Sequence, residues 1–292
     1  MGVGRSRGDA AYQFTINAFL AVVLFLVTIP IWRVLVLSFQ PITFTGSNIE
    51  GLFIPPWQWS AAAYKALLSN VKFTSAVANS FKIFFAGVAT SLVLTIPLAY
   101  VLSNKAVPGI KILNVFILVT FLFDAGLIPT YLVVTGVGLT DHLAAVFLPV
   151  AVSVSNTFIM RSFFAGIPLE LKEAARVDGA SEWYVIFRII LPLSMPIILT
   201  IGLYYGVHFW NDFFSALLYL NRPELKPLPI YLRDILMGAS MNDNLELNAF
   251  SQASIQSIKA ASVFLAMIPM IVMYPFIQRY FAKGTLVGSI KG

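Results

Sequence analysis

The run Phe14-Thr-Ile-Asn-Ala-Phe-Leu-Ala-Val-Val-Leu-Phe-Leu-Val-Thr-Ile-Pro-Ile-Trp-Arg-Val-Leu-Val-Leu-Ser-Phe39 carries a single charge, Arg33. The hydrocarbon core of a bilayer takes about 20 apolar residues of helix, so this run is long enough to cross one. Arg5 and Arg7 precede it as they would a signal peptide. It is too long for that role, and Leu37-Ser38-Phe39 offers no small-residue cleavage site, so it reads as a retained span. Outward from it, comparable runs follow at about 78–103, 111–134, 142–164, 193–219 and 257–281. None shows strand alternation, and a backbone in hydrocarbon must pair its own donors and acceptors, which selects helices over a barrel. The expected fold is an all-α integral membrane bundle of six transmembrane helices, one domain over residues 1–292.

The composition agrees. Of 292 residues, 59% are hydrophobic, and 19 basic plus 13 acidic residues cannot cover a water-soluble surface of this size. Mean hydropathy is +0.84 and the pI is near 9.5, but the basic residues are scattered singly, without the stripe that phosphate tracking needs. Nucleic acid is excluded as a partner. The absence of cysteine removes disulfides, thiolate metal sites and cysteine nucleophiles. His142 and His208 lack Glu or Cys at ligand spacing, so no metal is expected. No Gly-x-x-x-x-Gly-Lys-[Ser/Thr] phosphate loop occurs, so energy for any pumping comes from a partner or an ion gradient.

Eleven of the basic residues fall on one side of the six spans: Arg5, Arg7, Lys105, Lys111, Arg161, Lys172, Arg176, Arg188, Arg279, Lys283 and Lys291. Seven, spread over longer loops, fall on the other. The positive-inside rule then places both termini in the cytoplasm. Two external loops are long, about 40–77 and 220–256, and suit docking. Trp57 and Trp59 in the first suit a membrane interface, and the second carries Pro223, Pro227, Pro229 and the polar stretch Ser240 to Glu246. The third, Gly136 to Asp141, reads as a tight turn.

Charges at membrane depth cost roughly 2.5 to 3.5 kcal/mol each and invite a functional reading. Arg33, Asp124 and Asp212 lie within spans, with Lys82 and Lys259 near span ends, where lysines snorkel. Asp124 either lines a cavity or satisfies a broken helix. Tyr204, Trp210, Asn211 and Asp212 form an aromatic and polar group of the kind that binds sugar rings and hydroxyls, and equally a group that could serve packing. With Asp124 they make the candidate substrate path.

The internal segment at about 165–191 reads Ile167-Pro-Leu-Glu-Leu-Lys-Glu-Ala-Ala-Arg-Val-Asp-Gly-Ala-Ser-Glu-Trp183. Pro168 fits a first helical position, Glu170 and Glu173 favour the positive end of a helix dipole, and Gly179 can close a helix in the left-handed region. These features predict a short helix over about 168–178. Ser181 then caps a second helix, and Pro192 begins the next span. Ala174 and Ala175 give the short helix a small side that another protein can approach. Physics alone leaves a docking element and a plain connector equally open.

Glu173-Ala-Ala-Arg-Val-Asp-Gly-Ala180, with Phe187, Ile190, Leu191-Pro-Leu193 and Pro196, closely resembles the EAA loop of permease subunits in bacterial carbohydrate ABC importers, the group of the maltose importer's second permease. The resemblance extends through Tyr64 to Asn70, Asn79-Ser80, Gly126 to Tyr131, Met160-Arg161, Trp210-Asn-Asp212 and Leu228-Pro229. Asp124 to Thr130 and Ala216-Leu-Leu-Tyr219 look closest to the oligosaccharide branch, and within it to alginate importers. The resemblance implies a type I permease fold in the bacterial inner membrane, a second homologous permease, two ATP-binding cassette subunits and an extracytoplasmic solute-binding protein. It implies no cofactor and no catalytic residue on this chain, with ATP and Mg held by the ATPase subunits. Glu173, Ala174, Ala175, Asp178 and Gly179 would form the coupling helix. The rival readings are an ABC permease for a non-sugar solute and an ion-gradient-driven secondary transporter, which would show inverted repeats and paired carboxylates.

Overall fold

The structure is a computed structural model that describes residues 7–44, 53–238 and 254–288. Among the described residues it contains helices and turns and no strand. The helices are α1 (Arg7–Ser38), α2 (Ala62–Ser69), α3 (Val71–Ser103), α4 (Ile110–Leu122), α5 (Leu127–Gly136), α6 (Ala144–Phe147), α7 (Val154–Ala165), α8 (Leu169–Val177), α9 (Glu182–Tyr184), α10 (Leu191–Leu193), α11 (Met195–Asn211), α12 (Phe214–Tyr219), α13 (Leu228–Leu236) and α14 (Ile255–Gly288). A π-helical turn, Val185–Ile190, joins α9 to α10.

Three stretches, Tyr12–Ser38, Val71–Ser103 and Ile255–Pro275, are long and apolar enough to cross a membrane unbroken. The other three expected spans are bent pairs: α4 with α5 (107°), α6 and its 3-10 extension with α7 (54°), and the helix Glu182–Leu193 with α11 (78°). Six crossings follow only if each pair serves as one span. Each break has a local cause. At the first, Asp124 Oδ1 accepts the Gly126 N–H at 2.6 Å, and Gly126 has φ 82 and ψ 176, a region only glycine occupies readily. At the second, Ser153 Oγ accepts the Asn156 N–H and starts α7. At the third, Pro196 lies in the first turn of α11, where its missing N–H costs nothing, and the chain turns at Ser194.

Two span limits differ from those expected. Pro192 does not begin the fifth span: the helix from Glu182 runs through it to Leu193, with the π-helical turn Val185–Ile190 just before it. That span ends at Asn211 rather than 219, because Asp212 Oδ1 accepts the Ser215 N–H and turns the chain into α12.

The chain divides into two compact units. The first takes Met1–Val71 and Asp234–Ile268. In it Phe39 stacks on Trp59 at 4.9 Å, and Ser38 Oγ shares a hydrogen bond with Tyr64 Oη at 2.6 Å. Burial raises the Tyr64 pKa above its ordinary value, opposed by that bond, so the phenol is neutral at physiological pH. The two loop tryptophans separate: Trp57 is 82% exposed, whereas Trp59 turns inward and donates to the Ile54 carbonyl. Lys259 Nζ donates to the Leu236 carbonyl at 3.0 Å, placing its charge at the negative end of α13. The polar stretch 240–246 lies outside the described residues.

The second unit takes Lys72–Arg233 and Pro269–Gly292. Along α3 the buried residues Ala76, Ser80, Ile83, Gly87, Ser91, Thr95, Ala99 and Leu102 recur every three or four positions and so share one face. Most are small, which lets helix backbones approach closely in a membrane. A Cβ built on Gly87 would lie 2.6 Å from the Phe209 ring, and one on Gly206 would lie 2.6 Å from the Phe84 ring. Helices α3 and α11 therefore each offer a glycine beneath the other's phenylalanine.

The short turn at 136–141 is tied down by Asp141. Its backbone is left-handed (φ 58), its Oδ1 accepts the N–H groups of Asn221 and Arg222 at 2.6 and 3.1 Å, and Arg222 adds an exposed ion pair at 3.9 Å. Asp141→Ala removes the acceptor of two exposed backbone donors and leaves an alanine in the left-handed region, and is expected to cost about 1–2 kcal/mol. Asp141→Asn keeps the acceptor, tolerates the left-handed backbone and is expected to cost under about 1 kcal/mol. Thermal unfolding of the two purified variants in detergent checks the order.

Candidate functional site

Segment 165–191 folds by local rules. Helix α8 spans Leu169–Val177, with Glu170 in its first turn. It ends in a Schellman motif: the Ala180 N–H reaches the Ala175 carbonyl at 2.9 Å, and Gly179 between them has φ 80. Ser181 Oγ then accepts the Tyr184 N–H and starts α9. Glu182, the first residue of α9, accepts a 2.6 Å hydrogen bond from the Tyr100 hydroxyl at the end of α3. Helix, turn and helix lie as the residues predict.

The two alanines do different work, which corrects the expectation of one small face. Ala175 is buried in a core cluster with Phe164, Val185 and Ile190, and Ala180 packs against the same cluster. Ala174 is exposed, along with Glu173, Asp178 and Gly179. The outward face also carries large apolar groups: Val177 is 87% exposed and Trp183 69%, and Trp183 stacks on exposed Phe187 at 6.0 Å. Between the helices lies an open cleft of about 670 Å³, lined by Ala175, Asp178, Gly179, Ser181, Tyr184 and Arg188 among others. Apolar side chains exposed in this way are covered either by a partner protein or by the membrane interface.

The polar groups of the spans fall into local roles. Asp124 is exposed at the α4–α5 break and caps it, as described above. Tyr204 is 41% exposed. Trp210 is 5% exposed, with its ring 5.1 Å from Phe81 and 6.4 Å from Phe84. Asn211 Nδ2 donates to the Val207 carbonyl one turn back. Asp212 uses Oδ1 on Ser215, while its Oδ2 is buried without a hydrogen-bond partner. Trp210 thus packs and the second Asp212 oxygen is closed off from solvent, whereas Tyr204 and Asn211 are exposed. Arg33 and Lys82 are exposed on α1 and α3. Among the described residues no group of three His, Cys, Asp or Glu side chains could hold a metal.

Tyr205, a neighbour of the Tyr204–Asp212 group in sequence, has a structural role that its sequence context does not show. It is 2% exposed, and its hydroxyl accepts the Ser153 N–H at 2.9 Å and shares a hydrogen bond with Thr95 at 2.8 Å, which ties α3, α11 and the α7 N-terminus together. The available signal was Thr95 and Ser153, lone polar residues in apolar runs.

The model of the family "Binding-protein-dependent transport system inner membrane component" matches residues 1–287. Protein LplC of Bacillus subtilis is 40% identical over 246 residues, 83% of each chain. The polygalacturonan/rhamnogalacturonan transport system permease protein YtcP of the same organism is 36% identical over 283 residues, 96% of this chain and 98% of its own. A solved chain from a bacterial ABC transporter that imports the acidic polysaccharide alginate superposes with a TM-score of 0.87 at 27% identity, covering 96% of this chain and 100% of that one. With a family model over nearly its whole length, and with the transport system permease protein YtcP 36% identical over 98% of its own length, the chain belongs to the inner membrane components of binding-protein-dependent transport systems.

Proposed function

We propose that this chain is one permease subunit of an ABC importer that moves oligosaccharides of acidic polysaccharides, of the alginate or pectin kind, into the cytoplasm. The observation that carries the reading is the full-length likeness to the alginate importer's chain, joined by YtcP's identity. In this reading the whole chain acts as one permease domain that crosses the inner membrane six times with both termini inside. It pairs with a homologous permease, and an external binding protein delivers the sugar. Two ATP-binding subunits hold ATP and Mg below, and this chain has no catalytic role.

The exposed face of α8 supports its role as the coupling helix, with Glu173, Ala174, Asp178 and Gly179 facing an ATPase subunit and Ala175 holding the helix to the permease core. Closure of the ATPase pair would push this segment, and the permeases would alternate access as rigid bodies. Exposed Tyr204 and Asn211 are the chain's offer to sugar hydroxyls, with Asp212 turning the chain beside them, Trp210 shaping the wall behind them and Asp124 the bend. Charge selection would rest with the binding protein and partner permease.

Proteoliposomes containing the permease pair and ATPase subunits test this reading. Uptake of alginate or pectin trisaccharides is expected only with ATP, Mg and the loaded binding protein. Uptake driven by a proton or sodium gradient without ATP would overturn the reading in favour of a secondary transporter.

A further inference from the structure

We infer that α3 is a strut that carries the state of the outer loop to the coupling segment, and that Asn79, Ser80 and Tyr100 are the positioning residues that fasten its ends; this rests on the importer reading above. At the outer end, buried Asn79 donates through Nδ2 to the carbonyls of Glu224 and Lys226 at 2.7 and 3.4 Å. Next to it, buried Ser80 accepts the Leu228 N–H at 2.8 Å. Leu228 is the first residue of α13, so its N–H has no partner within its own helix, and α3 supplies the cap. The clamped segment contains Pro223, Pro227 and Pro229, which lack N–H groups and hold it stiff.

At the inner end, the Tyr100 hydroxyl holds Glu182, three residues beyond Gly179, and the Leu102 carbonyl accepts Arg161 Nε at 3.1 Å. Asn79 and Tyr100 are 21 positions apart on one helix, a rise of about 32 Å, close to the roughly 30 Å of a hydrocarbon core. One helix is therefore hydrogen-bonded to the outer loop at one end and to the coupling segment at the other, about one membrane thickness away. Between the ends, the Thr95–Tyr205 bond and the reciprocal seating of Phe84 on Gly206 and Phe209 on Gly87 oppose sliding of α3 past α11. Pro97 removes one backbone bond from α3, yet the helix runs through it unbroken.

The test uses the complete importer in nanodiscs and reads the ratio of ATPase rate with loaded binding protein to the rate without it. Tyr100→Phe and Asn79→Leu are each expected to lower that ratio at least about fivefold, the low end of ordinary allosteric coupling. Glu182→Gln keeps an oxygen acceptor for Tyr100 and is expected to retain at least about half of the ratio. Because the two ties act in series, the Asn79→Leu/Tyr100→Phe double variant should fall no further than the weaker single one. If Asn79→Leu fails to assemble, Ser80→Ala, which deletes one acceptor, takes its place with the same threshold. Single variants that assemble and stay within about twofold of wild type, or losses that multiply in the double variant, overturn the strut. A wild-type complex that no sugar-loaded binding protein stimulates overturns the importer reading instead.

Discussion

Gly179→Val is expected to remove most binding-protein-stimulated ATPase activity and uptake while the protein still inserts. A Cβ at Gly179 would meet nothing within 4 Å, so the cost is conformational rather than steric. At φ 80 a β-branched residue is a severe outlier, and the strain is on the order of 1–2 kcal/mol. The chain can escape that strain by leaving the left-handed region. Doing so breaks the Ala180-to-Ala175 bond and re-aims α9, and with it the Trp183 and Phe187 surface. A change of this size shifts a two-state equilibrium about 5- to 30-fold. Gly179→Asn, whose side chain tolerates the left-handed region, is expected to keep about half of wild-type uptake or more. The pair, measured by transport and by ATPase copurification, separates backbone strain from loss of a glycine as such.

Gly206→Val is expected to prevent stable packing of α11 on α3. Its Cβ would stand 2.6 Å from Cε2 and 2.9 Å from Cζ of the Phe84 ring, and the opposite pair, Gly87 beneath Phe209, gives the helices little freedom to separate on one side only. Overpacking of this kind costs about 1–3 kcal/mol in well-packed interiors, and more where the obstacle cannot move aside. Phe84 is only partly buried, so part of the strain can be relieved by shortening it. The double variant Phe84→Leu/Gly206→Ala should therefore be more stable than the sum of its single changes by about 0.5–3 kcal/mol. Unfolding midpoints in detergent measure this directly. Additive losses would show that the ring and the glycine do not meet.

The helix-turn-helix at 165–191 was legible because its structure is set within a few residues. Pro168, Gly179 and Ser181 each act on their own backbone, and the expected helix at 168–178 matches Leu169–Val177 to within a residue at each end. Membrane crossing was equally legible from apolar length. A broken helix at Asp124 was one of two open readings; the other two bends were not legible, because a proline or glycine in an apolar run does not say whether the freed backbone groups find partners. Asp124 and Ser153 supply those partners here and let the chain turn. The ties of α3 were out of reach for another reason: Asn79 and Ser80 bond to residues about 145 positions away, and Tyr100 to one 82 away. For Trp210 the packing reading is the one the structure favours. Its aromatic and polar neighbours in sequence resemble a sugar platform, yet the ring packs among Phe81 and Phe84.

The outward face of α8 is expected to meet an ATPase subunit. The natural chain has no cysteine, so one introduced thiol reports one position without background. Val177 is 87% exposed on that face, and Trp57 is 82% exposed on the expected external loop. With a short thiol-to-amine crosslinker applied to the assembled, ATP-hydrolysing importer, Val177→Cys is predicted to capture an ATP-binding subunit and Trp57→Cys to capture none. An active complex in which Val177→Cys captures no ATP-binding subunit, or in which Trp57→Cys does, would contradict the account.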